Sequence, residues 1–388
     1  DFAEAAASSG DGVLQVTRGD KLTVIYDDPA DDFGNPVTVE DVAFYNVTLK
    51  SGPLSESETW GVDNSPYLVT GDVTVGSGIT LTVSPGVKVF FKEVSDDQSA
   101  GHDANRSELV IDNGSLIAIG TESDSIWFTS NAEDPNSSDW YGFVVKNQVG
   151  VIDLQYVSAS YMSYGFRLYS GTYFYGDQGD YLNVSHSHFR DIESHVMDYE
   201  FYGYDGALMT FTNNIFSRFN YFMADRNVLY SGSVLTIDNN VLEGMDNYLI
   251  FDLEMNGSNE FGSSKLVLTN NNISGTNPRI YETAFYDSGD EYGAIITDNI
   301  ITHTNNGSAE WKFYGSSMAH GRVLVEGNTF VGIGLKAEYM IEVLITGNTL
   351  ESYNSSYALY LNRSNAVVEH NDIINNGYTG ILVNTDFN

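Results

Sequence analysis

The chain has 388 residues, of which 53 are Asp or Glu and only 17 are Lys or Arg, so that its net charge at pH 7 is −36. A field of this sign repels nucleic acid, anionic lipid and polyuronates, and it attracts cations. Cysteine is absent, which excludes a disulfide framework and a thiolate metal site.

The first predicted elements are the strands of a β-hairpin. Residues 19–49, GDKLTVIYDDPADDFGNPVTVEDVAFYNVTL, alternate apolar and polar positions on both sides of the acidic turn DDPADDFGN. The runs DGVLQV, GDKLTVIYDDP and DVAFYNV resemble the closing strands of Ig-like modules in archaeal and bacterial surface proteins. The resemblance implies an incomplete Ig-like or strand-exchange segment over residues 1–50, because two or three strands cannot close a sandwich.

The turn of this hairpin is a candidate calcium site. It brings together Asp27, Asp28, Asp31, Asp32 and Asn35, and Ca²⁺ prefers oxygen ligands of this kind. The spacing is not that of an EF-hand loop, so a solvated acidic turn is the alternative. No organic cofactor is expected.

From Ser65 onwards the sequence consists of short β-rich runs separated by Gly and Pro. SPYLVTGDVTVGSGITLTVSPGVKVFF is followed by ELVIDNGSLIAIG, SIWFTSN and DWYGFVVKN. This series, over residues 65–147, resembles the opening turns of secreted right-handed parallel β-helix proteins of the pectate-lyase-like superfamily, with a longer acidic loop at residues 95–108. The resemblance implies an all-β fold in which residues 65–388 form a right-handed parallel β-helix, or solenoid, after a linker of residues 51–64.

A hexapeptide recurs through the rest of the chain at spacings of 20 to 31 residues, with a mean of about 26, which predicts about 12 coils. Equivalent turns of a parallel β-helix stack about 4.8 Å apart, and an Asn side chain there tolerates a bent backbone and can bond to its equivalents. Because a catalytic set would not be periodic, we interpret these asparagines as a structural ladder. After Ser187, the fourth position holds Asn214, Asn240, Asn271, Asn299, Asn328, Asn348 and Asn371.

The sequence offers no convincing catalytic set. Lyases of this fold use cationic groups, which are few and scattered here, and hydrolases need carboxylates gathered on adjacent coils. The densest polar group is His186, His188, Arg190 and Asp191, which we interpret as surface residues of one coil, and we assign no catalytic residue. Aromatic residues concentrate between Tyr161 and Tyr204, and those that face outward favour a sugar-binding strip or a protein interface.

Two features favour an extracellular or cell-surface protein. The chain begins without Met, which we interpret as the product of export processing. It also carries ten Asn-X-Ser/Thr sequons, which are potential N-glycosylation sites. These are Asn46, Asn105, Asn113, Asn136, Asn183, Asn256, Asn272, Asn306, Asn354 and Asn362.

Both ends of the predicted β-helix lack an evident cap. The final NNGYTGILVNTDFN resembles an interrupted coil, and the N-terminal strands lack a sandwich. Because open sheet edges recruit further strands, we expect a structural subunit that assembles head to tail with copies of itself into a filament. The alternatives are a polysaccharide-binding protein or carbohydrate-active enzyme, and one segment of a longer surface protein. Nucleic acid and membrane insertion are not expected.

Overall fold

The short apolar runs form strands that stack in parallel along one axis, and the fold is an all-β right-handed parallel β-helix, as the sequence predicted. Alternate residues of each strand point inward, because side chains in a strand alternate between its two faces. The computed structural model describes residues 2–3, 14–29, 35–99, 101–169, 172–198, 201–256, 262–286, 291–305, 309–316, 320–352, 357–375 and 379–384.

Each regular coil has three strands on three faces. In one coil, Val234–Asp238 lies on the first face, Val241–Met245 on the second and Ile250–Asn256 on the third. The first face forms one 12-stranded sheet, one strand per coil, which agrees with the expected number of coils. Its strands are Glu58–Trp60, Thr80–Val83, Ser115–Ile119, Val151–Gln155, Tyr181–Ser185, Leu208–Thr212, Val234–Asp238, Lys265–Thr269, Ala294–Thr297, His320–Glu326, Met340–Thr346 and Ala366–Glu369.

The second and third faces are continuous and form a 25-stranded sheet. Two short 3₁₀-helices, Val62–Asn64 and Gly176–Gln178, lie between strands. The strands of the large sheet are Thr48–Pro53, Tyr67–Val75, Lys88–Phe91, Glu108–Asp112, Ile126–Ser130, Trp140–Lys146, Val157–Leu168, Thr172–Tyr175, His188–Ile192, His195–Asp198, Phe201–Tyr204, Ile215–Phe219, Tyr221–Tyr230, Val241–Met245, Ile250–Asn256, Asn272–Gly275, Ile280–Phe285, Ile300–His303, Ala309–Gly315, Thr329–Val331, Ile333–Glu338, Thr349–Ser352, Tyr357–Asn362, Asp372–Asn375 and Thr379–Asn384.

One continuous apolar core runs through the coils. Residues of neighbouring coils stack in register, so that Leu235 lies beside Leu266 and Ile237 beside Leu268. Phenylalanines also contact one another across coils. Phe143 lies in register with Phe166 and Phe189 with Phe216, with ring centroids 5.5 and 5.7 Å apart, and Phe166 lies 5.8 Å from Phe189.

The corner between the first and second faces contains the recurring asparagines. The side-chain oxygen of Asn240 accepts hydrogen bonds from the backbone N–H of Asn214 at 2.9 Å and from its amide at 3.0 Å, and Asn271 does the same for Asn240. The pattern continues to Asn371. Ser187 begins the column, with its N–H donating to Asn214. The preceding residue is left-handed in most coils, which suits Asn, Asp and Gly.

The β-helix begins earlier than the sequence indicated. Thr48–Pro53 pairs with Tyr67–Val75, and Glu58–Trp60 pairs with Thr80–Val83. The predicted linker of residues 51–64 is therefore largely part of the first coil. Its Ser and Glu residues hid the pattern, but Trp60 is buried and stacks on Tyr67 at 4.9 Å.

The N-terminal segment lies against this first coil. Val16 is buried, and Gly19 packs closely on Pro66, where an added Cβ would lie 2.6 Å from the proline ring. Lys21–Asp28 pairs with Val37–Phe44 as an antiparallel hairpin, and Phe2–Ala3 pairs with Leu14–Gln15 in parallel. Within the described residues the hairpin pairs with no third strand.

Candidate functional site: a polar groove along the β-helix

A second corner, between the second and third faces, has unusual backbone geometry. Tyr161, Asp191, Arg218 and Gly244 occupy it in four successive coils, and all four have φ between 54° and 69°. A left-handed conformation costs a non-glycine residue roughly 1–2 kcal/mol, and such strain clusters at functional sites. Gly244 shows that glycine fits this corner, whereas Tyr161, Asp191 and Arg218 adopt the same conformation at this cost.

An open pocket of about 410 Å³, here called the upper pocket, lies near this corner. Arg106 is its central polar group: it donates to Ser163 Oγ at 2.6 Å and forms ion pairs with Asp103 at 3.1 Å and Glu193 at 3.5 Å. The pocket is lined by His102, Asp103, Ala104, Asn105, Arg106, Tyr141, Ser163, Tyr164 and Glu193.

A second open pocket of about 390 Å³, the lower pocket, adjoins the first at Glu193. Arg218 donates from Nη2 to Asp191 Oδ2 at 2.8 Å and from Nε to Asp191 Oδ1 at 2.5 Å. This bidentate contact lowers the pKa of Asp191. The lower pocket is lined by Ser137, Asp191, Ile192, Glu193, Arg218, Phe219, Asn220, Gly244 and Asp246. We call the two pockets together the groove.

A column of outward-facing aromatic rings begins in the upper pocket and follows the axis. Ring centroids are 5.2 Å apart for Tyr141 and Tyr164, 5.8 Å for Tyr164 and His195, and 4.5 Å for His195 and Tyr221. Tyr248 and Tyr281 extend it over two more coils. Most of these rings stack face to face, so their faces contact one another and are not accessible to a ligand. The column therefore presents mainly ring edges and hydroxyl groups to the groove.

His195 stands beside a serine and an aspartate but does not form a catalytic triad. Ser194 Oγ lies 2.7 Å from His195 Nδ1, and Asp198 Oδ1 lies 3.7 Å from the same nitrogen, whereas a triad places its two partners on opposite ring nitrogens. Arg167 forms an ion pair with Asp198. Burial, and then Arg167, lowers the pKa of His195 to about 4, so the ring is neutral at physiological pH and packs within the column.

The polar cluster singled out in the sequence is divided by the structure. His186 has φ of 52° and stacks on Tyr156, so it lies in the asparagine corner, one residue before Ser187 and outside the strand that begins at His188. His188 is half-buried, with Nε2 3.1 Å from Ser217 Oγ. Only Asp191 of this cluster lines the groove.

The predicted calcium turn is only partly described. Asp27 is exposed and accepts a hydrogen bond from Thr38 Oγ1 at 2.7 Å, and Asn35 is exposed. Asp31 and Asp32 lie outside the described residues, as does the side chain of Asp28. Within the part of the chain that the structure describes, no three His, Cys, Asp or Glu side chains are grouped to hold a metal. No described helix is long and apolar enough to span a membrane.

The sequons differ in accessibility. Asn362 is buried, so a glycan there would require its coil to open. Asn183 and Asn256 are partly buried, and Asn306 and Asn354 lie outside the described residues. The exposed sequons are Asn46, Asn105, Asn113, Asn136 and Asn272, of which Asn105 lines the upper pocket.

Sequence comparison supports the fold in the part of the chain that contains most of the upper pocket. Residues 52–172 match the family model described as a pectate-lyase like beta helix domain. Comparisons with curated proteins and with solved structures found no match. The protein is thus a right-handed parallel β-helix whose residues 52–172 are similar to pectate-lyase-like β-helix domains.

Proposed function

We propose that this protein is an extracellular polysaccharide-binding protein and that the groove is its binding site. The observation that carries the proposal is the pair of adjoining open pockets of about 410 and 390 Å³, which share Glu193. Each pocket falls within the size range of small-molecule sites. Together they follow the axis over several coils, as binding of an extended chain requires.

The groove's charges favour an uncharged glycan. Its arginines are matched by neighbouring carboxylates: Arg106 pairs with Asp103 and Glu193, and Arg218 pairs with Asp191. A chain of net charge −36 would repel a polyuronate. The groove instead offers neutral sugar hydroxyls both donors and acceptors, with tyrosine hydroxyls alongside.

The left-handed corner supplies a sharp test. Arg218→Gly places glycine at the position that Gly244 occupies in the next coil. It removes an ion pair whose arginine is 60% exposed, a loss of about 0–1 kcal/mol, and Arg190 still lies 3.5 Å from Asp191. Relief of the left-handed conformation offsets that loss, so the unfolding midpoint is expected to stay close to that of the parent. Binding of a neutral polysaccharide, measured by affinity electrophoresis, is expected to weaken at least about tenfold.

The matched control is Arg363→Gly, which changes a left-handed arginine (φ 48°) that does not line the groove. Binding is expected to be unchanged in this variant. Polygalacturonate should bind neither the parent nor the two variants. Equal binding by the parent and Arg218→Gly, or binding of polygalacturonate alone, would refute the proposal. A reducing-end assay on each bound polysaccharide separates binding from cleavage.

A second candidate, head-to-tail assembly, is supported by apolar surface at both ends of the described chain. Ile381 and Val383 are 44% and 57% exposed, although they lie in register with the buried Leu359 and Leu361. In the hairpin, Val24, Ile25 and Tyr26 are about 60% exposed or more.

An N-terminal strand pair of one copy is suited to cover the last coil of another, with calcium and glycans as accessories. The test is sedimentation and electron microscopy of the full chain and of a chain that begins at residue 47, because the first coil starts at Thr48. Filaments formed by both chains, or by neither, would contradict assembly through the hairpin.

A further inference from the structure

The acidic loop of residues 95–108, which the structure describes except for residue 100, contributes residues 102–106 to one wall of the upper pocket. Its ends are joined by hydrogen bonds from Ser107 N and Oγ to the carbonyl of Ser95, at 2.9 and 2.6 Å. His102 lies at the tip of the loop, and its Nδ1 is 2.7 Å from Tyr169 Oη. The loop therefore packs over the β-helix and brings Asp103 and Arg106 to the groove.

Two buried carboxyl groups lie beneath this loop. Glu108 is 0% exposed, and its Oε1 accepts hydrogen bonds from the backbone N–H groups of His102 at 2.8 Å and Asp103 at 2.7 Å. The His102 N–H also lies 3.0 Å from Glu108 Oε2. Asp72 is 3% exposed, and its Oδ1 accepts the N–H of Glu108 at 2.9 Å. Asp72 Oδ2 is buried without a hydrogen-bond partner.

The orphaned oxygen of Asp72 faces Glu108. A Cβ added to Gly101 would lie 2.5 Å from Asp72 Oδ2 and 2.3 Å from Glu108 Oε2, so these two oxygens are within about 5 Å of each other. A Cα hydrogen of Gly101 points between them. A cation with six or more oxygen ligands would have to displace Gly101 to contact both oxygens, whereas a proton on either carboxyl group removes their like-charge repulsion.

We propose that a proton held by the Asp72–Glu108 pair latches the loop of residues 95–108 onto the β-helix, and that loss of this proton releases that wall of the groove. Two buried carboxylates so close together cannot both ionise without strong repulsion. The release then frees the N–H groups of His102 and Asp103 from Glu108. The latch does not depend on glycan binding in the groove.

Burial, and then the neighbouring charges, determine the pH range over which the pair titrates. Burial raises the pKa of Asp72 to about 6 and that of Glu108 to about 7. Since both pKa values are raised, the latch is complete below about pH 4, where the carboxyls of the unfolded chain are also protonated, and it is lost as the pH rises through 6 to 7. The other titratable groups that face the pair are Asp96, Asp103, His102, Lys146, Tyr141 and Tyr169.

The test is hydrogen exchange of the full chain at pH 5 and pH 8, corrected for the intrinsic rate of each amide. The protection factors of the His102 and Asp103 amides are expected to be at least about tenfold lower at pH 8 than at pH 5. A tenfold change is what a pKa difference of one unit between the closed and open loop produces. The first-face amides of the same coils are expected to show no comparable change. A loop whose protection is the same at both pH values would overturn the proposal.

Two variants replace the proton by a permanent donor. In Asp72→Asn the new amide can donate to Glu108 Oε2. In Glu108→Gln the new amide can donate to Asp72 Oδ2, and although it gives up the 3.0 Å bond from His102, Oε1 keeps the shorter bonds from His102 and Asp103. Either variant should therefore keep the loop protected at pH 8. Asp180→Asn is the control, because Asp180 is also buried with a raised pKa but lies away from the loop, and it should keep the parent's pH response. A parent-like response in both latch variants, or protection that follows added calcium at fixed pH, would refute the proton latch.

Discussion

Asn271 lies in the middle of the asparagine column, and its replacement by leucine tests what the column contributes. Its Oδ1 accepts the N–H of Asn240 at 2.9 Å, and its Nδ2 donates to the carbonyl of Ile237 at 2.7 Å. Leucine would fill the space and leave both backbone groups buried without these partners. An unsatisfied buried group costs about 1–3 kcal/mol, so we expect Asn271→Leu to lower the free energy of unfolding by about 2–6 kcal/mol.

Urea unfolding followed by circular dichroism measures this loss, and Asn272→Leu is the matched control. Asn272 is the next residue and is exposed, so its replacement should change stability by less than about 0.5 kcal/mol. If Asn271→Leu and Asn272→Leu unfold at the same urea concentration, the hydrogen bonds of the column do not stabilise the β-helix and the reasoning is wrong.

Two further predictions concern the backbone and the hairpin. Gly142→Ala should destabilise the protein by about 3 kcal/mol, because its φ is 128° and a Cβ would lie 1.9 Å from the carbonyl oxygen of Tyr164, whereas Gly76→Ala, with no atom within 4 Å, should cost about 1 kcal/mol or less. Thermal unfolding compares the two variants, and equal melting temperatures would contradict the close approach. If the acidic turn binds calcium, a chelator should increase hydrogen exchange in Lys21–Asp28 and Val37–Phe44 but not in the β-helix, and uniform exchange with and without chelator would reject the site.

The fold could be predicted from the sequence because its determinants are local and repeated. A strand of four or five residues and its turn recur in every coil, so one pattern is seen many times, from VSHSHF to VEHNDI. The first coil was missed because residues 48–60 contain few apolar residues, and because Trp60 finds its partner Tyr67 only once the chain turns back.

The groove could not be predicted because it depends on contacts between coils. Arg106 and Glu193 are 87 residues apart in the chain and meet only when the coils stack. Arg218 carried no signal of its own, since a left-handed backbone is not visible in a single arginine. One available signal was the acidic loop of residues 95–108, which interrupts the series of short strands and contributes residues 102–106 to the wall of the upper pocket.

The asparagine corner also separates the parts of the chain that can vary from those that cannot. Successive asparagines are 20 to 31 residues apart, yet each aligns with the next, so residues can be added or removed elsewhere in a coil without moving its neighbours. Loops in the coils from Ser187 onwards can therefore lengthen or shorten one coil at a time. In such a scaffold, the outer surface can change shape while the core and its register stay the same.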